Sequence, residues 1–248
     1  MSKCLIVTGG GRGIGAEVSR KAAKQGYSVC INFHRDQASA QKLVRKLEKE
    51  GANALAYQAD VSQEEEVEAL FETVEKDLGT PEALVNNAGI LDLQTRVDGM
   101  NAERIQRIFA VNVTGSFLCA REAVKRMSTK YGGKGGSIVN LSSGAAKYGS
   151  PGEYVDYAAS KAAIDTLTIG LAKEVAEEGI RVNAVRPGFI DTEIHQSGGE
   201  PDRMERVRPL VPMKRVGQAE EVADAIMWLL SDKASYTTGT ILDVSGGR

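Results

Sequence analysis

An α/β domain with a parallel sheet covered by helices on both faces is the fold this chain predicts, and three observations carry the prediction. Short apolar runs alternate with amphipathic helical stretches along the whole length. The first run ends in a glycine cluster, Gly9-Gly10-Gly11-Arg12-Gly13-Ile14-Gly15, that opens a helix. The 248 residues, 42% of them hydrophobic, suffice for one large core, and neither an internal repeat nor a linker divides them. The expected unit is a single domain over 1–248 with a doubly wound, seven-stranded sheet.

Lys3 to Thr8 reads as the first strand, and the helix after the glycine cluster runs to about Gln25. Such a loop can face a pyrophosphate with backbone N–H groups, because glycine permits close approach and a helix N-terminus favours anions. A plain tight turn would use some of the same glycines. The second strand, Ser28 to Phe33, leads into His34 and Arg35. An acidic side chain at this strand end suits the 2′-hydroxyl of NAD, whereas basic groups suit the 2′-phosphate of NADP. Arg12, His34 and Arg35 make a cationic clamp for that phosphate, which favours NADP with NAD as the alternative. The competing reading gives Asp36 to an NAD ribose, although Asp36 also stands where a cap for the next helix, Gln37 to Glu50, belongs.

Ala54 to Ala59 is the third strand and ends at Asp60-Val61. Ser62-Gln63-Glu64-Glu65 has the pattern of a capping box heading a charged helix to about Leu78. The fourth strand, Ala83 to Asn86, runs into Asn86-Asn87-Ala88-Gly89, whose amides can brace a loop or meet a cofactor. After a polar segment, Asp92 to Asn101, come two helices divided near Val111-Asn112-Val113. The fifth strand, Ser137 to Leu141, delivers Ser142-Ser143 to its carboxyl end, where open parallel sheets bind ligands. Serines there also serve as ordinary turn residues.

A helix from about Val155 to Glu177 places Tyr157 and Lys161 four residues apart on one face. An ammonium beside a phenol favours the phenolate, so the pair predicts a Tyr157 pKa moved down from about 10 and a side chain able to act as acid or base. Alone, the spacing describes many helix surface pairs. Between Ala162 and Ala172 the only charge is Asp165, which points to burial on more than one side and to oligomerisation. Gly179 to Val185 is the sixth strand, Gln218 to Leu230 a helix and Thr240 to Val244 the last strand. Glu193 to Gly217 is polar and irregular, as befits a mobile flap, and the substrate loop is set at about 190–216.

Charge narrows the partners. Lys and Arg number 31 against 33 Asp and Glu, scattered along the chain, so no basic face for nucleic acid is expected. Met1-Ser2-Lys3-Cys4 runs into a strand without signal-peptide architecture, and no apolar run spans a bilayer; a cytoplasmic protein with no membrane partner is expected. Cys4, Cys30 and Cys119 are odd in number and unclustered, hence read as buried free thiols, with no metal site.

Taken in order, these motifs resemble the short-chain dehydrogenase/reductase family over nearly the whole chain. Thr8-Gly9-x-x-x-Gly13-x-Gly15 is similar to its cofactor loop, Asp60 to its adenine-contacting aspartate, and Asn86-Asn87-Ala88-Gly89 to its sheet-end motif. Asn112, Ser143, Tyr157 and Lys161 fall in the order of its catalytic tetrad, with Ser143 rather than Ser142 in the serine position. Pro187-Gly188 and Thr192 resemble the segment that fixes the nicotinamide carboxamide. Finer similarity is to bacterial members described as glucose dehydrogenase-like or as uncharacterised oxidoreductases.

The resemblance implies a Rossmann fold, a tetramer, and hydride transfer between NADP(H) and a small carbonyl or secondary alcohol. The implied cofactor contacts are Gly9, Gly11, Arg12, Gly13, Ile14, Gly15, Phe33, His34, Arg35, Asp60, Val61, Asn87, Ala88, Gly89, Tyr157, Lys161, Pro187, Gly188, Ile190 and Thr192. Tyr157 would exchange the proton, Ser143 hydrogen-bond the same substrate oxygen, Lys161 hold the nicotinamide ribose, and Asn112 continue the proton path through a water. Ser143, Tyr157, Glu153 and His195 are the substrate candidates. Two other readings stand beside this one: a sugar dehydrogenase, in which Glu153, His195, Ser197 and Glu200 hydrogen-bond a polyol, and a non-catalytic NADP-binding sensor or scaffold. From Ser143 to Tyr157 is one residue longer than in many relatives, which the loop Ser150-Pro151-Gly152-Glu153-Tyr154 absorbs.

Overall fold

The protein is described by a computed structural model over residues 3–192 and 203–248. Parallel strands β1 (Cys4–Val7), β2 (Ser28–Phe33), β3 (Ala54–Gln58), β4 (Pro81–Asn86), β5 (Gly136–Leu141), β6 (Ile180–Pro187) and β9 (Ile241–Val244) form one seven-stranded sheet in the order β3-β2-β1-β4-β5-β6-β9. Val7 is in register with Ile31 on one side and Val85 on the other. Chain order reverses between β1 and β4, so the loops beyond their carboxyl ends part and leave a crevice.

Alternation within each strand builds two cores. Leu5, Val7, Val29 and Ile31 point to one face and pack with Val18 of helix α1 (Gly13–Lys24), Leu43 of α2 (Gln37–Lys49) and the buried side of the helix over Ala219–Leu230. Cys4, Ile6 and Cys30 point to the other and pack with Leu70 of α3 (Glu64–Asp77), Ala123 of the helix over Gly115–Met127 and Val175 of the helix over Val155–Val175. All three cysteines are free and buried, and burial pushes the Cys4 and Cys119 thiols up to about 12 and that of Cys30 higher still.

Three sequence expectations are corrected. The two helices around Asn112 are not separate: α4 (Ala102–Phe109) runs into α5 (Gly115–Met127) through a π-helical turn at Ala110–Thr114, the wide turn that carries Asn112 inward. No capping box forms from Ser62 and Glu65. Instead Asp60 Oδ1 accepts from the N–H and hydroxyl of Ser62, while Glu66 accepts from the Asp60 N–H at 2.7 Å. Helix α7 (Val155–Val175), preceded by the short α6 (Ala145–Tyr148), buries Ile164, Asp165, Leu167 and Thr168 and leaves Thr166, Ile169 and Gly170 exposed in the single chain. Finally, the described part of the expected irregular flap has structure: α8 (Arg203–Val207), and a parallel pair of β7 (Ile190–Asp191) with β8 (Gly217–Gln218) leading into α9 (Ala219–Leu230). Among the described residues no helix is long and apolar enough to cross a membrane.

Candidate active site

The loop after β1 is shaped by glycine and stapled to the loop after β4. Gly9 and Gly13 adopt positive φ of 59° and 48°, a region open to glycine. The Asn87 and Ala88 N–H groups donate to Thr8 Oγ1, and Asn87 Nδ2 donates to the carbonyls of Thr8 and Gly9. A Cβ on Gly15 would stand 2.6 Å from Asn87 Nδ2 and from the Gly9 carbonyl, so the loop closes against the helix only with glycine there. Gly11 meets Ala40 of α2 in the same way at 3.3 Å. Asn32, buried in β2, accepts from the Gly9 N–H and donates to the Ala59 carbonyl at 3.0 Å, fixing the far side of the loop. Helix α1 then begins at Arg12 without a side-chain cap and without an acid in its first turn, leaving its N–H groups and positive end turned to the crevice. Those features fit the pyrophosphate of a dinucleotide.

At the strand ends beyond, Asp36 caps α2 by accepting from the Ser39 N–H at 3.0 Å and lies 3.4 Å from Arg12 Nε. The Ser39 N–H, with a smaller contribution from Arg12, holds the Asp36 carboxyl below the usual range. Arg35 and His34 are exposed, His34 Nε2 lying 3.6 Å from Asp60 Oδ2, whereas Phe33 and Val61 are buried.

The tetrad candidates converge at the carboxyl ends of β4 and β5. Lys161 is buried and donates from Nζ to the Leu141 carbonyl at 2.7 Å. Its amine is 5.7 Å from the Tyr157 ring centre, and a Cβ on Gly89 would meet it at 3.3 Å. Burial lowers the Lys161 pKa to about 8, against the pull of Asp165 one turn along α7. Tyr157 departs from the sequence expectation: burial pushes its pKa up from 10, outweighing the hydrogen bond from Ser143 and the positive charge of Arg203. Four-residue spacing brings the amine near the ring, but low polarity around the phenol dominates.

Ser143 faces Tyr157 and also accepts from the Ala145 N–H at 3.1 Å, while Ser142 is turned away, donating to the Lys161 carbonyl. Asn112 is a strut: Nδ2 donates to the Ile90 carbonyl and to Ser160 Oγ, Oδ1 accepts from the Ile90 N–H, and its carbonyl accepts from Ser116 Oγ. The tyrosine end of α7 is pinned by Asp156, paired with Arg104 Nε at 2.6 Å.

A family model described as enoyl-(acyl carrier protein) reductase matches residues 9–248. "Uncharacterized oxidoreductase YgfF" of Escherichia coli (strain K12) is 57% identical over 98% of this chain and 98% of its own. 3beta-hydroxysteroid dehydrogenase 1 of Eggerthella lenta is 41% identical over 99% of this chain and 93% of its own, and glucose 1-dehydrogenase 2 of Bacillus subtilis (strain 168) 37% identical over 99% and 94%. The chain belongs to the short-chain dehydrogenase/reductase family. It is an oxidoreductase acting on CH–OH or C=O groups with a nicotinamide cofactor.

In this dehydrogenase/reductase a cavity of about 360 Å³ opens beside Ser143, Tyr157 and Lys161. Ile14, Asn87, Gly89, Pro187, Gly188, Ile190 and Thr192 also border it. Glu153 also lines it, but both its oxygens are engaged, one by Arg203 at 2.6 Å and the other by Arg206 at 3.3 Å. His195, with Ser197 and Glu200, lies outside the described residues. Sequence reasoning missed Arg203, Phe189 and Arg248 on the pocket wall and Asn32 beneath the glycine loop. An amide inside an apolar strand run was the one available signal for Asn32; the three wall residues carry no shared spacing.

Proposed function

We propose that this enzyme transfers hydride between NADP(H) and a small carbonyl or secondary alcohol, with Tyr157 as the proton carrier. The observation that carries the reading is the meeting of the Ser143 hydroxyl and the Tyr157 phenol in one cavity with the Lys161 amine beside Gly89. When bound, the cofactor supplies or accepts the hydride. Gly9 to Gly15 and the α1 N-terminus would hold its pyrophosphate, Lys161 its nicotinamide ribose, and Pro187, Gly188 and Thr192 its carboxamide edge. Arg12 and Arg35 are exposed at the mouth of the glycine loop, and Asp36 spends an oxygen on the α2 cap, which supports a 2′-phosphate over a free ribose.

In reduction Tyr157 gives its proton to the oxygen that becomes the alcohol, and Ser143 donates to the same oxygen as charge builds. Burial holds the phenol in its protonated form, the form that donates in reduction. Asn112 acts as a positioning residue, holding the turn after Gly89 against α7. A sugar would find Glu153 already bonded to two arginines, so the polyol reading is the weaker one. Exposed Phe117 and Ile169, with open space over Gly170, support self-association through α5 and α7, with a homotetramer as the proposed assembly.

Tyr157→Phe tests the assignment. NADPH affinity by fluorescence titration should stay within a few-fold of wild type while kcat falls about 100- to 10,000-fold; near-normal turnover would falsify it. Light scattering of Phe117→Glu tests the assembly, since an unchanged mass would exclude that face.

A further inference from the structure

Resting on that oxidoreductase reading, we propose that the substrate carries a compact oxyanion, a carboxylate or phosphate, which Arg203 receives inside the pocket with Arg248 as a second cationic contact.

Among the described residues the cavity wall carries four basic side chains, Lys161, Arg203, Arg206 and Arg248, and one carboxylate, Glu153. Glu153 gives both oxygens to Arg203 and Arg206, so it offers nothing to Arg248. Arg203 is the most buried of the three arginines, with its side chain 8% exposed. One terminal nitrogen, Nη2, holds Glu153, but Nε and Nη1 are buried and have no hydrogen-bond partner among the described residues. Buried donors left unmade are costly, and charged ones more so. Nε and Nη1 lie on different edges of the guanidinium, each beside Nη2, so a planar oxyanion would pair one of these free N–H groups with the second N–H of Nη2, whereas a ketone or hydroxyl satisfies one at most.

Aromatic rings hold the guanidiniums in place. Arg203 sits 5.0 Å from the Tyr154 ring centre and 5.7 Å from that of Phe189. Arg248 sits 4.6 Å from the same Phe189 centre and 5.1 Å from Tyr148, and its Nη1 is likewise buried without a partner among the described residues. Two arginines therefore lie within about 6 Å of one phenyl ring centre on the pocket wall, each with buried donors that lack a partner among the described residues. Stacking removes side-chain freedom before any ligand arrives, which favours tight capture. Arg203 is also felt at the phenol of Tyr157, so its charge acts within reach of the reacting oxygen. An oxyanion on Arg203 would fix which carbon of the substrate faces the nicotinamide.

The test compares matched pairs with NADPH: short 2-, 3- and 4-oxo acids against the methyl ester of each, and dihydroxyacetone phosphate against dihydroxyacetone. For wild type, kcat/KM should favour at least one anion over its neutral partner by about 10- to 100-fold. An advantage confined to the acids assigns a carboxylate, and one confined to the phosphate pair assigns a phosphate. In Arg203→Gln the anion-to-neutral ratio should collapse toward unity, in Arg203→Lys only in part, and in Arg248→Gln by less than in Arg203→Gln. Neutral partners turned over as well as anions by wild type would overturn the proposal, as would an unchanged ratio in a folded Arg203→Gln. Should nothing be turned over, calorimetry with the same anions on the NADP-loaded protein separates the two readings. Binding that Arg203→Gln abolishes keeps the anion site and sinks the hydride-transfer reading; absence of binding sinks the anion site.

Discussion

The two sides of the crevice are built by opposite means. Around Gly9–Gly15 the working groups are backbone N–H donors and small neutral amides, packed so closely that glycine is required by contact as well as by φ. Around Phe189 the working groups are long charged side chains, drawn from Glu153, Arg203 and Arg248, stacked on rings and paired across the chain. A backbone-built site recognises what is common to a class of ligands, since its geometry has few ways to vary. A side-chain-built wall can be rewritten one residue at a time, which suits the partner that differs from enzyme to enzyme.

The sharpest way to break that contrast is to put one methyl group on the backbone side. In Gly15→Ala the new Cβ meets the Gly9 carbonyl and Asn87 Nδ2 at 2.6 Å, and the carbonyl belongs to the loop itself. Cofactor affinity should fall about 10- to 100-fold, because losing a hydrogen bond or two to a charged pyrophosphate costs about 1.5–3 kcal/mol. Overpacking should also remove about 1–3 kcal/mol of stability. Fluorescence titration and denaturant melts read the two losses separately. An affinity loss below tenfold would show that this edge gives as readily as the opposite wall.

Between the two sides lies Lys161, and its charge supplies the next test. A pKa of about 8 means that kcat/KM for reduction, if it needs the ammonium, declines above pH 8. Asp165 raises that pKa, so Asp165→Asn should move the decline to lower pH, with a smaller loss at pH 8 than the glycine variant shows. Stability gives an independent reading. The folded chain releases the lysine proton at about 8 and the unfolded one near 10.5, so between these values the unfolded state binds more protons and stability rises with pH. Relative to Lys161→Met, wild type should therefore gain up to about 3 kcal/mol across that window. A flat difference would place the amine in a polar setting.

The same contrast explains what the sequence disclosed. Strand alternation and glycine spacing are local, so the strands of the sheet and the loop of Gly9, Gly13 and Gly15 could be read from the chain before any packing was known. The strand-end position of Ser143 was also accessible, whereas its partnership with Tyr157 came only from the family resemblance. Burial around Tyr157 was not: spacing gives proximity to Lys161, whereas the upward pKa comes from apolar cover assembled by distant segments. Nor was the π turn at Asn112, whose hydrophobic period differs too little from an α-helix to register. Asp60 and Glu66 sit six apart and evade a capping pattern written for three. Glu153, Phe189, Arg203 and Arg248 meet only in the folded chain.

The smallest expected effect concerns Asp36, where backbone and side-chain recognition overlap. Its carboxylate caps α2 through the Ser39 N–H and also sits 3.4 Å from Arg12. Asparagine caps a helix about as well as aspartate, whereas alanine does not. Asp36→Asn should therefore keep the helix and release Arg12, raising the NADPH-over-NADH preference a few-fold with stability nearly unchanged. Asp36→Ala should raise the same preference and lose about 1 kcal/mol. In wild type the cap contribution is present above the ordinary carboxyl pKa of 3.8 and fades as pH falls through the lowered folded value; the asparagine variant should lack that acid-side loss. If Asp36→Asn instead lowers the preference for NADPH, Arg12 depends on Asp36 for its orientation, and a side chain rather than the loop backbone sets cofactor choice.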